Sequence, residues 1–122
     1  MTTAHRKYPR GAVVMANLEP ITGSEQGGLR PVVVLSSLAT ITKSRSRPLY
    51  VIAPLTRSQT LTGVLAPRIN ARVGGIPLDS TALVMHIRSL DPQRLNKQVC
   101  VLEPEEFEPI LEGVKAMLEI GG

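Results

Sequence analysis

Up to residue 102 no apolar stretch of the chain outlasts a short strand, and each is closed by proline, glycine or polar turn residues; beyond that point the spacing changes. Phe107, Ile110, Leu111, Val114, Met117 and Leu118 recur at intervals of three and four, the stripe of a helix that packs by one face. Before them, residues 11–18 (GAVVMANL), 31–36 (PVVVLS), 49–55 (LYVIAPL) and 98–102 (QVCVL) read as strands, and residues 63–66 as a short one. Residues 81–90 (TALVMHIRSL) read as a long strand with Ala82, Val84, His86 and Arg88 on one face. Residues 71–80 are turn-rich, and residues 92–95 resemble a helical turn after Asp91. Pro104 and the glutamates at 105, 106 and 108 suit a helix amino terminus over about 104–119, while Pro109 is expected to kink its first turn or to move the start to that point. Short strands, tight turns and one terminal helix predict a mainly β fold, a small antiparallel barrel with the helix laid against it.

The 122 residues make one domain, with residues 1–9 a flexible leader. Tyr8, Tyr50 and Phe107 are the only aromatics, so the core must come from Val, Ile, Leu and Ala. One cysteine, Cys100, excludes an intramolecular disulfide and multi-cysteine zinc sites, and reads as a small buried hydrophobe. No residue cluster has metal-ligand spacing, and no cofactor is implied. The amino terminus lacks the apolar segment of a secretory signal, and no run reaches membrane-spanning length, so a cytoplasmic protein is expected. Residues 1–102 carry thirteen Lys and Arg against four acids, whereas residues 103–122 carry six Glu against Lys115. A basic body suggests a polyanionic partner, and Lys43 and Arg45 in the polar loop 40–48 could track phosphates or simply face solvent.

A glycine-rich block, GSEQGG at residues 23–28, precedes Arg30 and the valine strand. It has no Gly-Lys-Ser/Thr ending and opens no helix, which argues against a mononucleotide phosphate loop. By composition it is a turn. Taken in order, Arg10-Gly11, GSEQGG-x-RP, Pro54-Leu55-Thr56, Asp79-Ser80 and His86-Ile87-Arg88-Ser89-Leu90-Asp91 followed by Arg94-Leu95 resemble the MazF/PemK family of toxin ribonucleases. The resemblance implies an SH3-like barrel with a carboxy-terminal helix, a homodimer, and cutting of single-stranded RNA without a metal, restrained by an antitoxin. It also implies Arg30 and Thr56 as the catalytic residues, with Ser24, Glu25, Gln26, Gly27, His86 and Arg88 in the RNA groove. The chemistry suits these types: a guanidinium presents forked donors to phosphate, and a hydroxyl holds a second oxygen. Arginine is a poor base, its pKa lying above about 12, so the base stays open between Glu25 and His86.

The sequence departs from the family pattern in three respects: Ala12 replaces a common Asp, Val14 and Met15 stand near a usual aromatic, and His86 replaces a usual Gln. Two rivals therefore accompany the ribonuclease reading. One is a toxin of the same fold that acts by protein binding, of the gyrase-poisoning kind. The other is a degenerate homologue that binds RNA or antitoxin without cutting. Retention of Arg30 and Thr56 favours the enzyme.

Overall fold

The computed structural model describes residues 8–18, 28–39 and 49–121. Its strands are β1 (Ala12–Asn17), β2 (Leu29–Ala39), β3 (Leu49–Thr56), β4 (Arg68–Ile69), β5 (Ser80–Ala82), β6 (Arg88–Leu90) and β7 (Leu95–Val101), followed by helix α1 (Pro104–Met117). They form one antiparallel sheet in the order β4-β5-β3-β2-β1-β7, with β6 also paired to β3. This is the expected mainly β architecture, a curled half-barrel with one terminal helix. No helix among the described residues is long and apolar enough to cross a membrane.

The reason for the curl lies in β2. Val32, Val33 and Val34 are all fully buried, so both faces of the central sheet need cover. Val13, Val33, Leu35, Ala53 and Leu55 join one cluster with Val84 and Ile110, beneath the helix. Val14, Val32, Val34, Tyr50 and Ile52 join a second, with Leu90 and Leu95. Tyr8 belongs to that second cluster: it meets the Tyr50 ring edge-on at 5.7 Å between centroids, and its hydroxyl donates to the Asn96 carbonyl. The end of the expected leader is thus part of the core.

Two expected strands are corrected. Residues 63–66 are a turn closed by Ala66 N–H donating to the Gly63 carbonyl (3.0 Å), and the short strand falls later, at Arg68–Ile69. The long strand over 81–90 is broken into β5, a 3-10 turn at Val84–His86, and β6. Within the break, His86 N–H donates to the Leu83 carbonyl (3.0 Å) and Ile87 N–H to the Val84 carbonyl (3.2 Å). β5 pairs with the end of β3 and β6 with its beginning, and Val84 is drawn under the helix between them. Strict alternation of residues 82 to 88 is therefore lost.

Helix α1 starts at Pro104 and continues through Pro109. The expected kink or later start does not occur. A proline at 109 removes one N–H to the Glu105 carbonyl, but the first turn has other anchors. Glu106 Oε1 accepts from the Glu103 backbone N–H (2.8 Å), and the Glu106 carboxylate takes two bonds from Arg72, at 2.8 and 2.9 Å. Pro109 itself is exposed, so water can hydrate the freed carbonyl. Gly75 makes room for this clamp, since a Cβ there would lie 2.7 Å from Arg72 Cγ. A second approach depends on Gly113, whose added Cβ would stand 2.6 Å from the Val64 carbonyl oxygen. Loop 57–79 is in this way fastened to the helix at two places.

The Arg72 hydrogen bonds hold the Glu106 carboxyl below its ordinary value of 4.5. A depressed folded value adds stability that is complete above about pH 4.5 and is lost as pH falls through the folded value. Glu106→Gln should therefore lower the melting temperature at neutral pH and flatten its decline below pH 4.5. Thermal melts across pH 7 to 3 check this; parallel curves for the two proteins would exclude the clamp as a stabiliser.

Candidate functional site

β2 begins, and β3 ends, at the same margin of the sheet. The register pairs Val34 with Ile52, Val33 with Ala53 and Val32 with Pro54, and Arg30 and Thr56 lie beyond the last of these pairs, at the same end of the two strands. Both residues line a cleft of ≈ 450 Å³, together with Gly28 and Leu29 at the start of β2, Val13 and Met15 on β1, Val99 on β7, and Ile76, Pro77 and Leu78 on the loop. Its wall is largely aliphatic. Gly28 closes the β1–β2 connection by accepting from Leu18 N–H (2.9 Å), and its φ of 76° is a left-handed conformation that glycine adopts without strain.

Thr56 has a defined hydrogen-bond polarity. Its Oγ1 accepts the Ser58 backbone N–H at 3.2 Å, which directs the hydroxyl to use its own proton elsewhere. Arg30 is half-buried and Thr56 likewise, so each is ordered by the sheet yet reachable. One polar cleft residue, Arg57, was not singled out from the sequence, whereas Ser80 belongs to the Asp79-Ser80 block noted there. Ser80 Oγ donates to the Leu78 carbonyl (3.0 Å) and steadies the wall, and Arg57 follows Thr56 into the cleft. The only available signal for Arg57 was adjacency to Thr56, which by itself carries little information.

The remaining expected residues are distributed differently. Ser24, Glu25, Gln26, Gly27, Lys43 and Arg45 lie outside the described residues. His86 ends the 3-10 turn and is not among the residues lining the cleft. Arg88 on β6 pairs with Ile52, two positions before Pro54, and its Nη1 is buried without a hydrogen-bond partner among the described residues. Asp91 accepts from Gln93 N–H (2.9 Å) and caps the turn at Pro92–Arg94, while Arg94 donates to the Asn17 carbonyl (3.3 Å). Those two contacts are architectural. Cys100 is buried, and desolvation pushes its thiol up, in keeping with the small-hydrophobe reading.

The profile of PemK-like, MazF-like toxins of type II toxin-antitoxin systems matches residues 9–118. The chain belongs to that family. It is 33% identical over 115 residues to Endoribonuclease EndoA of Bacillus subtilis (strain 168), an alignment covering 91% of this chain and 94% of that protein. The fold matches MazF from Deinococcus radiodurans with a TM-score of 0.70 at 24% identity, covering 90% of this chain and 94% of the other. It also matches a mycobacterial endoribonuclease solved in complex with its cognate antitoxin, with a TM-score of 0.69 at 18% identity, covering 93% and 96%. For this MazF/PemK-family chain, the cleft at the β2–β3 margin is the place where the two residues implied by the family pattern meet.

Proposed function

We propose that this MazF/PemK-family toxin is a metal-independent endoribonuclease that cuts single-stranded RNA at short sequence motifs in the β2–β3 cleft. The observation that carries the reading is that Arg30 and Thr56 line one cleft. In the reaction the 2′-hydroxyl gives up its proton and its oxygen bonds to the adjacent phosphorus, while the bond to the 5′-oxygen breaks and that oxygen takes up a proton, leaving a cyclic phosphate and a 5′-hydroxyl. Negative charge grows on the non-bridging oxygens as this happens, and preorganised donors aimed at them lower the barrier. Arg30 supplies a fork of N–H donors to those oxygens. Thr56, whose oxygen already accepts from Ser58, donates its proton to a second one. The base that receives the 2′-proton is unassigned; of the two sequence candidates, His86 does not line the cleft and Glu25 is outside the described residues.

The protein acts in the cytoplasm as a homodimer, and its cognate antitoxin silences it by covering the cleft. The solved mycobacterial relative with its cognate antitoxin supports that partner. Incubation of the purified protein with a long single-stranded RNA in EDTA, followed by mapping of the ends, tests the reading. Discrete cuts with 5′-hydroxyl ends are expected. Intact RNA across many sequence contexts, from folded dimer, would return the choice to a protein-binding toxin or a non-cutting homologue.

A further inference from the structure

Among the described residues, Arg57 differs from several other arginines in having no partner within the protein. Arg68 donates to the Gln59 carbonyl, Arg72 to the Glu106 carboxylate and Arg94 to the Asn17 carbonyl. Arg57 is exposed and makes no hydrogen bond or ion pair among the described residues. It nevertheless lines the cleft that holds Arg30 and Thr56, whose described lining contains two guanidiniums and no acid. Such an uncompensated concave surface concentrates anions.

One guanidinium is enough to clamp one phosphate, and the second calls for another anion. The cleft volume of ≈ 450 Å³ lies within the roughly 300–1,000 Å³ of small-molecule sites, so it admits a nucleoside beside a phosphate. Its aliphatic wall at Ile76, Pro77 and Leu78 suits the face of a base or sugar. A nucleic-acid strand supplies the matching ligand, since it presents an anion at each nucleotide step.

We propose that Arg57 binds the RNA phosphate next to the one that is cut, so that the cleft grips two consecutive phosphates with one nucleoside between them. The inference rests on the reading of the cleft as the RNA site. Arg57 fixes the position of the strand without selecting a base.

Binding is measured with an RNA carrying a 2′-deoxy nucleotide at the cut position, so that it stays intact. Arg57→Ala should weaken binding several-fold at low salt and make the slope of log K against log salt shallower by about 0.7, the single-strand value for one phosphate contact. Arg57→Lys should restore the slope because it keeps the charge. Neutral methylphosphonate linkages are then placed one at a time around the cut. One linkage adjacent to the cut should weaken the wild type and add no further loss in Arg57→Ala.

Additive losses at every linkage, or an unchanged salt slope, would overturn the assignment. So would an unchanged RNA affinity combined with weaker capture of the antitoxin, since the cation would then serve a protein partner. Failure of the ribonuclease reading shows separately, as wild-type protein that leaves all-ribose RNA uncut.

Discussion

Arg30→Ala is expected to slow RNA cleavage by about 10²–10³-fold, the range seen when one donor to a developing oxyanion is removed. The residue is half-buried at the start of β2 in the cleft it shares with Thr56, and of the two arginines in the described lining it is the one within a strand. Arg30→Lys separates charge from geometry. It keeps the cation but loses the planar fork, so a partial recovery, well short of wild type, is the expected outcome. Single-turnover rates at saturating RNA are the appropriate measure, because they isolate the bond-breaking step from binding and product release. Melting temperatures of both variants identify any loss of fold. A folded Arg30→Ala protein that cuts within threefold of wild type would remove Arg30 from the chemistry and with it the proposed site.

The second large effect concerns the helix. Ile110 is the one large α1 side chain with no exposure, and it enters the cluster formed by Val13, Val33, Leu55 and Val84. Ile110→Ala should cost about 2–5 kcal/mol, the usual range for such a truncation with its residual cavity. Against a total stability of about 5–15 kcal/mol, that is a large share. The loss is directional as well. The second cluster contains no helix residue, so β1, β2 and β3 keep half of their buried surface when the helix loosens. Urea titration should show a lower midpoint, and hydrogen exchange should accelerate in residues 104–117 more than in β2. A loss below about 1 kcal/mol, or uniform acceleration through the sheet, would mean that the helix is not held by this contact.

The two experiments probe connected features. Loop 57–79 supplies Ile76, Pro77 and Leu78 to the cleft, and its anchors are Arg72 on Glu106 and the Val64 carbonyl over Gly113, both on α1. The helix therefore holds one wall of a site to which it contributes no residue. Some slowing of cleavage in Ile110→Ala is consistent with that linkage, whereas Arg30→Ala should leave exchange in the helix unchanged.

Local chemistry made much of this legible. The β-branched runs around Val13, Val33 and Ile52 can bury themselves only as strands, and the three-and-four spacing from Phe107 to Leu118 suits only a helix with one packed face. Arg30 and Thr56 could be named because the blocks that hold them resemble those of the MazF/PemK family. Other features had no local signature. Residues 81–90 alternate well enough for one strand, yet β3 offers two separate stretches to pair with, and the chain steps between them through Val84. Pro109 argues locally against a helix, but Arg72, from a loop 34 residues away in sequence, holds the first turn. Arg57 is an ordinary exposed arginine until the cleft forms around it.

The sequence by itself determined the strands of the central sheet and the terminal helix, because backbone propensity and side-chain period act over a few residues, and the pair of residues to expect at the site came from the resemblance of its ordered motifs to a known family. Only the tertiary structure decided where the long apparent strand breaks, that both faces of β2 are covered, and that an aliphatic loop wall and a second arginine join Arg30 and Thr56. Those outcomes depend on which distant surfaces meet, and the free energy of that meeting resides in burial and cross-chain hydrogen bonds that no local stretch contains.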